Sequence, residues 1–572
     1  MPGPRGAVYG RRSVLPSPFA PFRIRPGDAV AEAEAQAART LGAPFVVDPA
    51  EPTAMRFAPT SLARVAAGTA ADHEEACRDA DGRASGTAGH QRACPHSAAH
   101  RARLLADCRS ALEAGYAGVL LDRPDRVLGL GLFGAGFCEA CQAAFQAGLR
   151  EEYGDQLEPF DFRRIAADEL ASASGAVSFR KLHFGRDFWR FRLDSLAGAV
   201  SACVLPIRDA ARVARRDFAL VARFDQVGPA QFQAARILDG AILPLSPLPH
   251  HTGAAEARLW RAAIGRGAVA AQLPPGATAD QVAIHAAALA ATGVAVGLEE
   301  GDRASATATV RRLLADHAAR RDGRPFENPV VEFQVFYSPE ADMWSSGLHR
   351  LEAEEVGEIL TRLHFQWDVA TGGSPIHPGA VLVLPQALGL TPVEATAVTR
   401  FLEGGGKLLV LGEARVVAPG GRFLPPFLPE AKVGRLKPTR TGEGALVVVP
   451  PLVPAPSGGG LTSAPVSGAL EGGLAALAGR GRRALQVVSP SPLAVSAWRP
   501  PRRLDIHVAS LAGGPVRGAT LVVATEHSGS ARRARFRGPG IDEKIPLVPS
   551  AGEVAAVLPE FVGYGVLSLV PG

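Results

Sequence analysis

Several features that define whole classes of protein are missing from this sequence. It has no stretch of about 18 uninterrupted apolar residues, so we expect no membrane-spanning helix and no membrane partner. It has no dense block of lysine or arginine, and its formal net charge is only +5, which argues against a nucleic-acid partner. Six cysteines in 572 residues are too few for a disulfide scaffold.

The first residues also lack the pattern of a secretion signal. The N-terminus contains arginines, but no apolar run of signal length follows them. The composition, 47% hydrophobic and 20% charged, is that of a globular protein. We therefore expect a cytoplasmic protein, and its length is enough for about three domains.

The first 325 residues alternate between short apolar runs and amphipathic stretches. Buried parallel strands read as continuous apolar runs, and alternation of strand with helix indicates a parallel sheet. Seven or eight such units predict an α/β fold with a (β/α)8 barrel of the TIM type over residues 1–325; a doubly wound open sheet is the alternative. The predicted strands are Leu41–Val47, Ser61–Gly68, Gly115–Asp122, Phe218–Asp225, Ile237–Leu245, Gly267–Gln272 and Gly293–Glu299, with an eighth at Ala7–Tyr9 or Phe19–Ile24.

Two further domains follow a polar linker at Asp322–Glu327. Residues 326–450 again alternate, with strands at Val331–Ser338, Ala380–Leu384 and Lys407–Gly412, which predicts a flavodoxin-like α/β domain. Residues 451–572 contain short alternating runs separated by turn residues, which predicts a small antiparallel β-sandwich.

Charged residues cluster where the predicted barrel strands end, which is where active sites of such barrels lie. Glycosidic cleavage needs two carboxylates on either side of one bond. The candidate catalytic residues are Asp122, Glu299, Glu300 and Asp225. The candidate substrate-binding residues are Arg123, Asp125, Arg223, Gln272 and Trp189. The alternative is structural, because an aspartate at a strand end often caps a helix or pairs with arginine.

Four cysteines form a second candidate site. Cys138 and Cys141 are spaced C-x-x-C, which lets two thiolates reach one Zn²⁺. Cys77 and Cys94 lie in a preceding loop and would complete a closed, structural zinc site of four cysteines. The alternative is that all four are small buried hydrophobic residues. No cofactor is expected for catalysis itself.

The α/β domain at 326–450 resembles glutamine amidotransferase domains, but it contains no cysteine. The nucleophile of that chemistry is therefore missing. No phosphate-binding glycine loop precedes a helix in this domain either. We expect it to serve packing or assembly.

Four segments, in this order along the chain, resemble the family-42 β-galactosidases and their hydrolase-like relatives. The segments are Gly136–Gly154, Arg186–Leu196, Val381–Ala414 and Ile506–Leu511. They resemble the cysteine-rich segment, the helix after it, the trimerisation domain and the C-terminal β-domain of that family. The resemblance implies a retaining glycoside hydrolase with a carbohydrate substrate, assembled as a homo-oligomer (trimer or dimer), with zinc near Cys138 and Cys141.

The sequence departs from that family at both catalytic positions. The fourth strand ends in Leu-Leu-Asp-Arg-Pro-Asp, without the family's Asn-Glu, and Ala271 stands where the family has its nucleophilic glutamate. Two hypotheses follow. One is an active hydrolase that uses Asp122 and a second acid; the other is an inactive barrel that binds carbohydrate or serves assembly.

Overall fold

The structure is a computed structural model of the 572-residue chain. It describes residues 22–26, 45–49, 55–60, 64–66, 76–87, 90–128, 134–154, 157–158, 160–172, 184–246, 252–265, 268–273, 277–299, 328–418, 422–428, 434, 437–441, 443–452, 463–478, 483–500, 503–512, 514–529 and 531–571. The predicted linker at Asp322–Glu327 lies outside these residues.

Eight strands of the first part form a closed ring. In ring order the strands are Phe22–Pro26, Ala295–Glu299, Ala268–Gln272, Gly240–Pro244, Ala219–Arg223, Gly118–Asp122, Met55–Thr60 and Phe45–Pro49. From Phe22–Pro26 round to Met55–Thr60, each strand pairs in parallel with the next. The mixed α/β class with parallel sheets, as predicted, is confirmed.

Strand Phe45–Pro49 departs from a regular (β/α)8 arrangement, because it runs antiparallel to both of its neighbours. The physical reason is the connection to Met55–Thr60. Only residues 50–54 join the two strands, and a parallel crossover needs about a dozen residues or more. The short connection therefore dictates a hairpin-like reversal.

One predicted strand was placed wrongly. The apolar run Ser61–Gly68 is not in the ring; Met55–Thr60 pairs with Gly118–Asp122 instead. The described part of that run, Arg64–Ala66, is a strand in a separate three-stranded sheet with His90–Arg92 and Gly86–Thr87. Adjacent runs of similar hydrophobicity cannot be told apart until one of them finds a pairing partner.

Helices pack around the ring. Their bounds are Ala98–Glu113, Glu139–Tyr153, Phe162–Ser172, Gly185–Val213, Pro229–Ile237, Ala254–Ile264 and Ala279–Thr292. Gly185–Val213 has 29 residues and extends well beyond the ring strands of five or six residues. No helix in the described parts of the chain is long and apolar enough to cross a bilayer.

The second part contains a six-stranded sheet. In sheet order the strands are Trp367–Thr371, Phe333–Tyr337, Val381–Leu384, Lys407–Leu411, Gly444–Val449 and Thr439–Thr441. The first five are parallel and follow the order 2-1-3-4-5, as in flavodoxin-like sheets. Helices Pro339–Trp344, Leu348–Arg362 and Pro392–Glu403 accompany the sheet. The last begins with a capping box between Thr391 and Glu394.

The third part is built on eight antiparallel strands. In sheet order they are Leu485–Val488, Thr520–Ala524, Glu553–Val557, Ile541–Ser550, Ala531–Gly538, Tyr564–Pro571, Leu504–Ser510 and Leu493–Trp498. Helix Ser463–Ala478, which the predicted limits assign to this part, packs instead on the second part: its Leu470, Leu474 and Leu477 share a core with Leu409 and Val447. The limits 1–325, 326–450 and 451–572 stay predictions.

Arg258 joins all three parts. It lies on helix Ala254–Ile264 beside the ring, and its guanidinium donates to the carbonyl of Trp367 and to Oγ of Ser496. The guanidinium carbon also lies 4.7 Å from the Trp367 ring centroid. Arg258 is buried, and burial lowers its pKa to about 10, so it stays charged at neutral pH. A buried cation depends on these partners.

We expect Arg258→Met to lower the free energy of unfolding by about 3 kcal/mol, because it leaves the carbonyl of Trp367 and the hydroxyl of Ser496 without their donor. Thermal unfolding and limited proteolysis would measure the loss. Arg400→Met, at an exposed position, is the matched control. Equal stability of the two variants would contradict a joining role.

His349 lies at the centre of the second part and is fully buried. Its Nε2 accepts from the amide of Ser338 at 3.0 Å, so Nδ1 carries the proton and donates to the carbonyl of Gln386 at 3.0 Å. Burial lowers the pKa of His349 to about 4. The folded protein thus holds this ring neutral where the unfolded chain protonates it.

Between about pH 6.5 and pH 4 the unfolded state binds a proton at His349 that the folded state does not. Stability is therefore lost as the pH falls through this window. We expect His349→Gln to reduce that loss by about 2–3 kcal/mol, measured as the difference in urea unfolding between about pH 7 and pH 4. His377→Gln, at an exposed site, should leave the slope unchanged; the same slope in native protein and His349→Gln would be the contrary result.

Candidate functional site

Asp122 and Arg223 meet at the C-terminal ends of two neighbouring ring strands. The register pairs these two residues directly. Asp122 Oδ1 accepts from Arg223 Nε at 2.7 Å and lies 2.5 Å from Nη2, so the contact is bidentate on the arginine side. The carboxylate is one-third exposed, whereas the Arg223 side chain is 12% exposed. Arg223 therefore orients a carboxylate that still faces the opening of the ring.

Asp225 stands beside this pair and is held by two further arginines. Its Oδ1 lies 3.1 Å from Arg123 Nε, and its Oδ2 accepts from Arg126. Arg123 has φ of 51°, a left-handed conformation that is uncommon for a residue with a side chain. The turn after Asp122 is thus bent so that Arg123 reaches Asp225. Arg126 was not among the predicted site residues.

Asp125 serves the protein itself rather than a ligand. It is 6% exposed, and it accepts from the amides of Asp225 and Gln226 and from Gln231 Nε2. Burial raises its pKa, and these hydrogen bonds oppose the rise. Asp125 ties the turn after one strand to the turn after the next, which places Asp225.

The other predicted residues are distributed differently. Gln272 ends strand Ala268–Gln272 at the same face of the ring. Glu299 ends strand Ala295–Glu299, which lies directly across the ring from the strand of Asp122, four strands away in either direction. Only the backbone of Glu299 is described, and Glu300 lies outside the described residues. Trp189 lies on helix Gly185–Val213 and packs against the buried cluster of Met343, Trp344 and Val417 in the second part.

Among described residues at the ends of strands Gly118–Asp122 and Ala219–Arg223, both solvent-facing carboxylates are paired with arginine. This arrangement provides an ionic, hydrogen-bonding surface for hydroxyl groups. A pair of carboxylates suited to hydrolysis needs a second acid across the opening. The only predicted candidates left for that role are Glu299 and Glu300.

The four predicted cysteines come together in one buried cluster. Cys94 Sγ lies 3.4 Å from Cys141 Sγ and 3.3 Å from Cys138 Sγ, and the sulfurs of Cys77, Cys138 and Cys141 lie within 4.8 Å of one another. All four are free thiols. Cys108 and Cys203, predicted as core residues, are buried elsewhere in the main hydrophobic core.

The chemistry of this cluster fits a thiolate-bound metal ion, and the sulfurs of Cys77, Cys138 and Cys141 are close enough to one another to share one. Four sulfurs at a Zn–S distance of about 2.3 Å are separated by about 3.8 Å, and the two contacts of Cys94, at 3.4 Å and 3.3 Å, are about half an ångström shorter than this. Hydrogen bonds from the Cys141, Cys77 and Cys94 thiols hold the pKa of Cys138 well below its usual range. The amide of Gly136 also donates to Cys77 Sγ at 3.0 Å. Such a closed set would hold the loops together rather than activate water.

Two arginines near the cluster were missed by sequence reasoning. Arg192 is 3% exposed; burial lowers its pKa to about 10, while the charges of Cys77 and Cys141 raise it. The charge of Cys77 likewise raises the pKa of Arg92, against the larger effect of burial. Four thiolates and Zn²⁺ sum to −2, which two guanidiniums balance. The sequence did contain a sign that Arg192 is buried. It lies on the apolar face of its helix, four residues from Phe188 and four from Leu196.

We expect purified protein to contain one zinc per chain by elemental analysis, and Cys138→Ser to lose most of it. Arg192→Met should release zinc to a chelator about tenfold faster, because the centre loses a balancing charge, whereas Arg192→Lys should release it at close to the native rate. Arg212→Met, exposed on the same helix, is the control. If native protein that was purified without chelator and then supplied with zinc contained no metal, the result would contradict the predicted site.

Solved glycosidases have the same fold. The structure matches a β-galactosidase from Bacillus circulans sp. alkalophilus with a TM-score of 0.60 at 13% identity, over 87% of this chain and 86% of that one. It matches alpha-L-fucosidase isoenzyme 2 from Paenibacillus thiaminolyticus with a TM-score of 0.55 at 13% identity, over 90% of this chain and 87% of that one. It matches the β-galactosidase of Halorubrum lacusprofundi with a TM-score of 0.57 at 14% identity, over 90% of this chain and 89% of that one. No protein-family profile and no curated protein matches the sequence.

These comparisons show that the chain shares the architecture of glycoside hydrolases nearly end to end. At 12–14% identity to the β-galactosidases the likeness establishes the fold and not the reaction. The resemblance seen in the sequence is thus confirmed as a distant structural relationship. The comparisons leave the activity undecided. The evidence that bears on it is the set of residues at the ring opening.

Proposed function

We propose that this protein is a glycoside hydrolase that acts on an oligo- or polysaccharide at the C-terminal opening of the ring. The observation that supports it is the shared architecture: all three parts align with glycosidases over most of both chains. Fold alone hosts many functions, so the proposal depends on the carboxylates at the opening.

In this proposal Asp122 is the carboxylate that attacks the sugar carbon or activates water. Arg223 holds it in one orientation through the bidentate contact, and Asp122 remains one-third exposed. Glu299, which ends the strand on the opposite side of the ring, or the next residue in sequence, Glu300, would supply the proton to the leaving oxygen. Asp225, held by Arg123 and Arg126, would bind sugar hydroxyls with Gln272.

A second candidate function is carbohydrate binding without hydrolysis. It is favoured by the arginine partners of both Asp122 and Asp225, and by Ala271 at the position where the resembling family has its nucleophile. An ion-paired carboxylate is a good acceptor for hydroxyl groups but a poor proton donor. A barrel with only such groups would bind a sugar and leave its linkage intact.

Two further features belong to the proposal. The cysteine cluster would hold a structural zinc ion through Cys77, Cys94, Cys138 and Cys141. The flavodoxin-like part would serve self-association, as the resemblance to a trimerisation domain implies. Neither is needed for the chemical step.

We expect the purified protein to cleave at least one member of a panel of nitrophenyl glycosides and oligosaccharides, and Asp122→Asn to lower kcat about 10²- to 10⁴-fold. Asp209→Asn, exposed near the end of helix Gly185–Val213, is the matched control. Activity that survives in Asp122→Asn would move the site to Glu299, Glu300 or Asp225. Binding without turnover by folded native protein would establish the second candidate.

A further inference from the structure

A second cleft lies between the ring part and the flavodoxin-like part. Its volume is about 740 Å³, within the range of sites that hold small organic ligands. One wall is formed by helices Glu139–Tyr153 and Gly185–Val213, and the other by residues of the second part around Glu340 and Thr391. Clefts between domains are common ligand sites.

The cleft lies on the same side of the ring as the strand ends. Helix Gly185–Val213 ends near Asp239, which Arg208 contacts at 2.9 Å and which precedes strand Gly240–Pro244. Its C-terminal end is therefore at the N-terminal face of the ring, and its first residues project beyond the opposite face. Those first residues line the cleft, so the cleft and the ring opening lie towards the same face of the ring.

Polar groups from both walls converge in the cleft. Glu340 Oε1 accepts from Trp344 Nε1 at 3.1 Å and lies 4.0 Å from Arg190 Nη1 across the domain boundary. On the other wall, Asp187 Oδ1 accepts from the hydroxyl of Tyr153 at 3.1 Å. Burial raises the pKa of both carboxyls. Each carboxyl has two oxygens with two lone pairs apiece, so both can accept from a ligand in addition to these contacts.

The lining matches the chemistry of a neutral sugar. Carboxylates and guanidiniums accept from and donate to neighbouring hydroxyls, while rings and aliphatic groups cover the C–H faces. The cleft combines Asp187, Glu340 and Arg190 with the apolar side chains of Phe191 and Pro392. Five acids and two arginines line the cleft, and both arginines, Arg186 and Arg190, lie on the ring-side wall beside Asp187. Their charges argue against a purely cationic ligand.

We propose that this interdomain cleft is a second saccharide-binding site, which holds a distal portion of a neutral oligosaccharide through Glu340 and Asp187. This rests on the proposed action on saccharides. The cleft binds without hydrolysing, and it increases affinity for longer chains over short ones. Because its walls come from two parts of the chain, it depends on the packing of those parts against each other, to which Trp189 contributes beside the cleft.

The test separates the cleft from the ring opening. Asp122→Asn protein is screened on an array of neutral oligosaccharides, and the tightest binder is titrated by calorimetry. We expect that Glu340→Gln and Asp187→Asn, each added to Asp122→Asn, weaken binding about tenfold. Glu403→Gln, exposed on a neighbouring helix, should leave affinity unchanged. Thermal unfolding checks that each variant folds; Asp187→Asn, on the other wall, carries the test alone if Glu340→Gln is unstable.

The outcomes distinguish this proposal from the proposed function. Loss of all binding on substitution of Asp122 would overturn the cleft and leave the ring opening as the saccharide site. Binding that is the same in both cleft variants as in the parent would also overturn it. Binding that survives Asp122→Asn and weakens in the cleft variants supports it, even if the protein hydrolyses nothing.

Discussion

The buried guanidinium of Arg258 is the interaction on which the arrangement of the three parts depends. It extends from a helix beside the ring to a carbonyl of the parallel sheet and a hydroxyl of the antiparallel sheet. A cation so far from water is tolerated only where each partner is in place. The core agrees with this, because Trp260 of the ring part and Leu409 of the second part belong to one continuous hydrophobic cluster.

The junction between the parts also bears on the proposed cleft. The interdomain cleft is formed by side chains of two parts, and Arg190 meets Glu340 across it. A shift of one part against the other by a few ångströms would separate these groups. The packing around Arg258, Trp189 and Trp344 thus holds the two walls of the proposed cleft at their observed spacing.

A second connection runs from the cysteine cluster to the ring opening. Arg92 interacts electrostatically with Cys77, and its Nη1 donates a hydrogen bond to the carbonyl of Arg126 at 2.8 Å. Arg126 in turn donates to Asp225, whose amide is held by Asp125. The cluster and the opening therefore share one polar network, so a metal ion held by the cysteines would act on the opening through structure and not through the reaction.

The sequence by itself was sufficient to predict the strand–helix alternation, the parallel sheets and most element positions. This is because buried strands and amphipathic helices differ in the period of their apolar residues. It also predicted that Asp122 lies at a strand end and that the four cysteines lie together, and the structure has them so placed. Their roles stay predictions. Tertiary structure alone decided the reversal at Phe45–Pro49, the use of Met55–Thr60 in place of Ser61–Gly68, and the partners of every charge. Arg223 and Asp122 are 101 residues apart in sequence, and Glu340 lies about 150 residues beyond Arg190. Contacts over such separations follow from packing and pairing of whole elements, which no local pattern of residues encodes.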